Sequence, residues 1–395
     1  MWAFSFYLFI FYLLIFFTFH TGENLFRIRA IKELINHKMN RFFIVVISLI
    51  FFYVKNAYAA ELSLDKQTLF LKGESYYFGD GEPKNYKLAL YWFTKAAELG
   101  HVDSQFNLGV MHQFGQGTSV DYTAALGWYK KSANSGNAEA QQNIGSMYKN
   151  GKGVEQNYRE AIWWYEKAAT QGQLTAQYNL GLIYYNGNGV KKDYSKAIKW
   201  FSLSANSGYM EAQYNLALMY YKGVGVKRNY QEAAKWFTRS AEQGFAKAQF
   251  NLGVLYEEGK GFPENKKTAI EWYLKAAAQG HTSSQQNLGV MYEYGEGTPI
   301  DYALAFKFYS LAAQKGEGEA HYGLGILYAK GQGVITNDIL SYMWFTLAKK
   351  NGIRNAIKAL GILEPIMSKN QIEEANILAE KCFESNYQNC ENQKL

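Results

Sequence analysis

The chain has 395 residues, of which 48% are hydrophobic and 19% are charged, and this composition excludes an intrinsically disordered protein. Its 36 glycines and only four prolines favour helices that are separated by glycine turns. The net charge is +7, but residues 1–59 carry six basic and two acidic residues, so the remainder has a charge of +3. That value argues against a general nucleic-acid-binding protein.

Two apolar runs stand at the N-terminus. Residues 2–19 are long enough to be a transmembrane candidate. Residues 42–54 follow the basic Arg41 and precede Ala57-Tyr58-Ala59, so this second run has the three parts of a secretory signal. We therefore expect residues 39–59 to be a signal peptide that is cleaved before Ala60, or a membrane anchor if it is not cleaved.

Two interpretations of residues 1–38 stay open. In the favoured one, translation begins at Met39 and residues 1–38 are an upstream extension. In the other, both apolar runs cross the membrane and the basic linker between them stays in the cytoplasm. Either way we expect the rest of the chain to be periplasmic or secreted, or anchored with its bulk outside the cytoplasm. Contact with a membrane is expected only through an uncleaved N-terminal segment.

Glycine recurs with a period of 36 residues between Gly73 and Gly361. One series is Gly100, Gly136, Gly172, Gly208, Gly244, Gly280, Gly316 and Gly352. A second series runs from Gly73 to Gly361 with Ala217 in its one gap, and a third consists of paired G-x-G turns such as Gly187-Asn188-Gly189. Three series with one period predict eight copies of a repeated unit over residues 60–354.

Each unit contains two amphipathic stripes. In residues 176–208, Ala176, Leu180 and Ile183 fall on one face of a first helix, helix A. After the G-x-G turn a second stripe begins at Tyr194, forms helix B and ends at a glycine cap, Gly208. A tryptophan recurs in helix B, at Trp92, Trp128, Trp164, Trp200, Trp236, Trp272 and Trp344. We predict that these tryptophans belong to the core.

The recurring pattern is A-x-Y-N-L-G-x-x-Y-x-x-G-x-G-V-x-x-D-Y-x-x-A-x-x-W-x-x-x-A-A-x-x-G. It resembles the Sel1-like repeat family, the 36-residue relatives of tetratricopeptide repeats. The resemblance implies an all-α fold, a right-handed α-solenoid of antiparallel helix hairpins. Residues 355–395 depart from the pattern and are expected to form capping helices and a tail, with a capping box at Ser368 and Gln371.

No motif of a hydrolase, a metalloprotease or a nucleotide-binding enzyme is evident in the repeats. We therefore expect no catalytic residues, no cofactor and no metal site, and we interpret the histidines as local variation. The two cysteines, Cys382 and Cys390, could form a disulfide in an oxidising compartment, although their spacing leaves this open.

A helical projection of helix A leaves one face free for a partner. Its candidate contacts are a row of asparagines, an aromatic row and a variable row. They are Asn107, Asn143, Asn179, Asn215, Asn251 and Asn287, then Tyr178, Tyr214 and Phe250, then Lys149, Tyr185, Tyr221, Glu257 and Glu293. Side-chain amides can pair with the backbone of an extended peptide. Alternatively, the asparagines bond only to neighbouring backbone and the aromatic residues pack between successive A helices.

The sequence thus predicts a non-catalytic, extracytoplasmic scaffold that binds a protein or peptide on its concave face, in a bacterial envelope complex. It does not predict a nucleic acid or a small-molecule cofactor as a partner. One alternative is a secreted or surface factor that interacts with a host. Another is a cell-wall or β-lactam hydrolase, by resemblance to cysteine-rich relatives, but their regularly spaced cysteine pairs are absent here.

Overall fold

The computed structural model describes residues 48–50, 52–53, 64–388 and 390, and within these ranges the regular structure is entirely helical. The expectations about a cleavage site before Ala60 and about residues 2–19 fall outside the described residues and stay predictions. Within the described part of the chain, no helix is long and apolar enough to cross a membrane.

The helices are numbered in chain order. The A helices have odd numbers up to α17, and the B helices have even numbers. One compact unit, which ends at His101, contains α1 (Lys66–Glu74), a π-helical turn (Ser75–Gly79) and α2 (Tyr86–Glu98). The second unit begins at Val102. It contains α3 (Val102–Phe114), α4 (Tyr122–Asn134), α5 (Ala138–Asn150), α6 (Tyr158–Thr170), α7 (Leu174–Asn186), α8 (Tyr194–Asn206), α9 (Met210–Lys222), α10 (Tyr230–Glu242), α11 (Ala246–Glu257), α12 (Lys266–Ala278), α13 (Thr282–Tyr294), α14 (Tyr302–Ala313), α15 (Gly318–Lys330), α16 (Asp338–Lys350), α17 (Arg354–Leu363) and α18 (Lys369–Glu384).

Local chemistry sets both ends of the loop inside each hairpin. Helix α7 ends at Gly187, whose φ of +76° is left-handed and whose N–H donates to the carbonyl of Ile183. Helix α8 begins after Asp193, whose carboxylate accepts the backbone N–H of Lys196. Both glycines of all eight G-x-G turns have positive φ, which confirms the prediction that they reverse the chain.

The two helices of a hairpin meet where an aromatic ring of helix B lies on a glycine of helix A. A Cβ atom added to Gly181 would be 2.5 Å from Cδ1 of Phe201. The same contact recurs at Gly109 and Tyr129, Gly145 and Tyr165, Gly253 and Tyr273, Gly289 and Tyr309, and Gly325 and Phe345. Close packing within the hairpins therefore explains the second glycine series up to Gly325, whereas nothing lies within 4 Å of a Cβ atom at Gly361.

This contact makes a prediction about two glycines in helices. Gly181→Ala should lower the free energy of unfolding by about 1–3 kcal/mol, because the new methyl group must displace the Phe201 ring. Gly127→Ala is the matched control, since nothing lies within 4 Å of a Cβ there, and it should stabilise α4 by about 0.5–1 kcal/mol. Urea denaturation measures both effects, and equal changes in the two variants would contradict the proposed packing.

The tryptophans lie at the edge of the core, and the residue after each one lies at its centre. Tyr129 and Phe201 are fully buried, whereas Trp128 and Trp200 are half-buried. The ammonium group of Lys131 stands 3.8 Å from the centre of the Trp128 ring. The prediction of a tryptophan core therefore holds for the buried Trp164, Trp236 and Trp344 only. A lysine ammonium group lies over the ring of each half-buried tryptophan of this series.

A glutamine in each of the five A helices α5, α7, α9, α11 and α13 bonds to the preceding repeat. Nε2 of Gln141 donates to the carbonyl oxygen of Ala133, in the preceding helix B, over 3.2 Å. The same bond joins Gln177 to Ala169, Gln213 to Ala205, Gln249 to Ala241, and Gln285 to Ala277. In the last repeat His321 replaces the glutamine, and its Nε2 lies 3.0 Å from the carbonyl oxygen of Ala313. His321 therefore keeps the bond that the glutamines make.

The C-terminal segment closes over this last repeat. The capping box is formed, with Ser368 and Gln371 bonding each other's backbone N–H groups at the start of α18. Cys382 and Cys390 are joined by a disulfide. Just before Cys390, the ring of Tyr387 lies 4.9 Å from that of His321. Residues after α18 thus cover the end of the repeat array.

Because His321 is buried, we predict that the C-terminal segment packed on it is less stable in acid. Burial lowers the pKa of His321 to about 4, below the value of about 6.5 in an unfolded chain. Its neutral ring therefore contributes stability above pH 6.5, at most about 3 kcal/mol, and this contribution is lost as the pH falls toward 4. The His321→Gln variant has the glutamine that the other repeats carry at this position. Its free energy of unfolding should fall less between pH 7 and pH 4.5 than that of the wild type.

Thermal unfolding at the two pH values measures the difference, with the wild-type chain as the reference. Near-ultraviolet circular dichroism reports on the packing of Trp344, which stacks on His321 with ring centres 5.4 Å apart. An identical pH dependence in wild type and variant would contradict the role given to His321.

Candidate functional site

The A helices of the second unit present a common outward surface, which we call the A-face. It comprises the positions of Gln142, Asn143, Ser146 and Lys149 and their equivalents at intervals of 36 residues. Neighbouring A helices touch directly, as α5 does α7 and α13 does α15. All candidate residues of the three rows lie on this surface, and all are half-buried except Glu293, which is only 7% exposed.

The asparagines of the A-face bond to their own helix, as the alternative interpretation expects. Nδ2 of Asn179 donates to the carbonyl oxygen of Thr175 over 2.8 Å. Asn215 and Asn251 make the same bond, to the residues four positions earlier. One amide N–H of each of these asparagines is therefore used within its own helix, and the oxygen Oδ1 can accept hydrogen bonds. Three asparagines of the row are thus anchored to the helix that carries them.

The aromatic row fills the space between one hairpin and the next. The Tyr178 ring lies 5.8 Å from Phe201 in its own hairpin and 5.3 Å from Tyr209 at the start of the next one. Tyr214 and Phe250 lie in the same way between their two neighbours. Burial raises the pKa of Tyr178, and its hydroxyl oxygen accepts a hydrogen bond from Asn215 over 3.3 Å. These half-buried rings therefore pack successive hairpins together, as the alternative interpretation expects.

The variable row has a structural explanation that the sequence analysis missed. The Tyr309 hydroxyl donates to the Glu293 carboxylate over 2.7 Å, and Tyr273 donates to Glu257 over 2.5 Å. Gln113 accepts in the same way from Tyr129 over 2.9 Å. Where helix B carries phenylalanine instead, at Phe201, Phe237 and Phe345, the variable row holds Tyr185, Tyr221 and Ala329. The residue in the row therefore matches the helix B ring sixteen positions later.

This matching gives the variable row a structural role, and ligand contact by its half-buried members stays a prediction. Glu293 is buried and engaged by Tyr309, so it is not available to a partner. The rings of Tyr185 and Tyr221 pack edge-on against the first tyrosine of the following helix B, at 5.5 Å in both cases. Burial, reinforced by the adjacent carboxylates, raises the pKa of Tyr273 and of Tyr309. The covariation was visible in the sequence, but its meaning depended on the hairpin geometry.

Lys149 differs from the rest of its row. Its Nζ donates to Oδ1 of Asn179, in the next repeat, over 2.9 Å. No ion pair of the described residues includes it, and burial lowers the pKa of its ammonium group. Lys149 thus links two successive repeats across the A-face.

The pairing of Glu293 with Tyr309 can be tested by a double-mutant cycle. Glu293→Ala should lower the free energy of unfolding by about 1–3 kcal/mol, because the Tyr309 hydroxyl then stays buried without an acceptor. Adding Tyr309→Phe recreates the Ala329 and Phe345 pair of the last repeat and should recover most of that loss. Chemical denaturation measures the cycle, and simply additive effects would show that the two residues do not act as a pair.

In the described part of the chain, no cluster of three or more histidine, cysteine, aspartate or glutamate residues is arranged to hold a metal ion. The A-face presents amide oxygens, half-buried aromatic rings and the ammonium group of Lys149.

Comparisons with known proteins agree with this geometry. A family model described as the Sel1 repeat matches eight successive segments, at residues 73–101, 102–137, 138–173, 174–209, 211–245, 246–281, 282–317 and 318–353. A search of curated proteins gave no match.

Two solved structures resemble the chain over most of its length. One is a protective antigen of uropathogenic Escherichia coli strains, with 34% sequence identity and a TM-score of 0.73, and the match covers 85% of this chain and 73% of that one. The other is a Sel1 repeat protein from Oxalobacter formigenes, with 29% identity, a TM-score of 0.62, and coverage of 79% and 91%.

Such repeat arrays generally bind proteins, and their members are generally non-catalytic. With eight matching repeats, an all-helical hairpin architecture and a 34% identical structural relative, the chain belongs to the Sel1 repeat family of tetratricopeptide-like α-solenoids.

Proposed function

We propose that this chain is a non-catalytic, extracytoplasmic scaffold whose A-face binds an extended segment of a partner protein. The observation that carries the proposal is the row of asparagine oxygens, one in each of six successive repeats, which stands beside half-buried aromatic rings. An extended peptide offers backbone N–H donors to such acceptors and places its apolar side chains against ring edges. The surface therefore suits a polypeptide better than a compact small molecule.

Two features support a location of the chain outside the cytoplasm. Residues 39–59 have the order of parts of a secretory signal. The disulfide between Cys382 and Cys390 is of a kind that persists in oxidising compartments. We propose a role in a bacterial envelope complex. The antigen to which the chain is 34% identical supports a second candidate, a secreted or surface factor that meets a host.

The hydrolase alternative has less support. The cysteine-rich relatives carry cysteine pairs along the array, whereas both cysteines here lie in the C-terminal segment and bond to each other. Incubation of the purified chain with a chromogenic β-lactam should give no turnover, and measurable turnover would overturn the non-catalytic assignment.

Photocrosslinking in intact cells tests the A-face. A photoreactive phenylalanine in place of Asn215 should give a discrete adduct. The same residue in place of Lys199, which is exposed on helix B, should not. The triple substitution Asn179→Ala, Asn215→Ala and Asn251→Ala in a chain with the probe at Asn287 should reduce the adduct severalfold. Adducts of equal yield from both faces would contradict binding along the A-face.

The location is tested by fractionating the cells and sequencing the N-terminus of the mature chain. We expect the chain in the periplasmic or secreted fraction with Ala60 as its first residue. A cytoplasmic chain that retains residues 39–59 would contradict the proposal.

A further inference from the structure

The last two positions of the G-x-G loop, just before the capping residue of helix B, carry pairs of basic residues in two successive repeats. They are Lys191 and Lys192 before α8, and Lys227 and Arg228 before α10, and we call these four residues the basic patch. The other repeats of the second unit have Ser119-Val120, Glu155-Gln156, Pro263-Glu264, Pro299-Ile300 and Ile335-Thr336 at these positions. These repeats form the same turn without a cation there, so the fold requires neither basic pair.

The two pairs lie on neighbouring turns. The turn of one repeat packs against the start of helix B in the repeat before it, since a Cβ atom added to Gly225 would lie 2.5 Å from the Cβ atom of Tyr194. Tyr194 is the second residue after Lys192, and Gly225 is the second residue before Lys227. The pairs are therefore side by side on one edge of the array, although 36 residues separate them in the chain.

The turns hold the stems of these side chains and leave their charges outside. A Cβ atom added to Gly187 would lie 2.6 Å from Cγ of Lys192. One added to Gly223 would lie 3.1 Å from Cβ of Arg228. The second residue of each pair is thus packed on the first glycine of its own turn. All four residues of the basic patch are exposed, so their cations are accessible to a partner.

The positive charge of the basic patch is not offset within the described part of the chain. None of its four residues takes part in an ion pair there. The adjacent Asp193 caps α8 through the backbone N–H of Lys196, and its carboxylate lies 4.0 Å from Nζ of the same lysine. Helix α10 is capped by the neutral Asn229. Four like charges that repel each other on adjacent turns favour an anion supplied from outside the chain.

The basic patch is continuous with the A-face. Tyr185 and Tyr221, the members of the variable row in these two repeats, pack at 5.5 Å against Tyr194 and Tyr230. Each of these partner rings follows a basic pair by two residues, and the Arg228 guanidinium lies 5.4 Å from the centre of the Tyr230 ring. Two pairs of aromatic rings therefore connect the asparagine row to the cations.

The charge along this edge changes sign in the next two repeats. There the variable row holds Glu257 and Glu293, and the position of Arg228 is Glu264 in the first of them. A segment with carboxylates is favoured beside the basic patch and disfavoured beside these glutamates, because like charges repel. Such a change of sign fixes where along the array an acidic segment lies, which a uniformly basic surface would not do.

We propose that the basic patch binds aspartate and glutamate side chains of the partner segment that lies on the A-face. The proposal deepens the proposed function and rests on it, since both groups of contacts belong to one polypeptide. Exposed ammonium and guanidinium groups form charge-assisted hydrogen bonds with carboxylates. Val190, Val224 and Val226 of the two turns are half-buried, so these turns offer no large apolar side chain to a lipid layer. A polypeptide therefore fits this edge better than a membrane does.

The first test measures binding of a labelled peptide to the whole purified chain. The probe is a fluorescein-labelled peptide of glycine, alanine and glutamate with blocked ends, and its counterpart has glutamine in place of glutamate. Fluorescence anisotropy should detect binding of the glutamate peptide only, and this binding should weaken as the sodium chloride concentration rises. Equal binding of the two peptides, or of neither, would overturn the proposal.

Two variants with the same change of net charge locate the binding. Replacing all four residues of the basic patch by glutamine should weaken peptide binding at least about tenfold. The matched control replaces four exposed lysines of the B helices by glutamine and should bind like the wild type. These are Lys199, Lys235, Lys267 and Lys307. Every substituted residue is exposed, and far-ultraviolet circular dichroism verifies that both variants fold. Equal weakening in the two variants would mean that net charge alone attracts the peptide, and would overturn the patch.

Vesicles distinguish a polypeptide from an anionic lipid surface. The wild type should bind the glutamate peptide and should not sediment with vesicles of phosphatidylcholine and phosphatidylglycerol at the same ionic strength. Sedimentation with the vesicles that is lost in the patch variant, without binding of the peptide, would assign the basic patch to lipid and overturn the polypeptide.

Photocrosslinking in cells separates this proposal from the one on which it rests. With the probe at Asn215, the patch variant should give severalfold less adduct than the control variant. An adduct of equal yield in both variants would refute the basic patch and leave the A-face as the partner surface. Peptide binding that depends on the patch, without any adduct from Asn215, would refute the A-face instead.

Discussion

The structure depends on one contact, an aromatic ring of helix B that lies flat against a glycine of helix A. Because a Cβ atom at Gly181 would come within 2.5 Å of the Phe201 ring, the two helices approach more closely than any larger residue permits. Repetition of this contact along the second unit gives every hairpin the same geometry. The single alanine of the series, Ala217, is buried in the same core as Phe237.

The same ring also determines what the A-face displays. When the ring is a tyrosine, its buried hydroxyl requires an acceptor, and a polar residue of helix A is committed to it, as Glu293 is to Tyr309. When the ring is a phenylalanine, no acceptor is needed at that position of helix A, and a residue such as Tyr185 packs on the hairpin instead. Variability on the surface of a repeat protein can therefore record pairing inside each hairpin.

Residues that depart from the repeat pattern differ in whether they keep the hydrogen bond made at the same position in the other repeats. His321 replaces a glutamine but keeps its bond to the preceding helix, so it is a structural substitution that also stacks against Tyr387 of the C-terminal segment. Lys149 keeps nothing of the bond that Glu257 makes, and it leaves Tyr165 without an acceptor. The first kind of departure keeps the bond between successive repeats, and the second kind changes the pairing inside one hairpin.

The sequence by itself determined the period, the two helices of each unit, the turns, the caps and the family, because each of these follows from local chemistry repeated every 36 residues. Gly187, Asp193 and Ser368 act on backbone groups within a few positions of themselves, so a pattern is enough to predict them. Only the tertiary structure decided which candidate residues are free. The commitment of Glu293 to Tyr309 and of the Asn179 amide to its own helix depends on distances that a pattern of spacings does not contain.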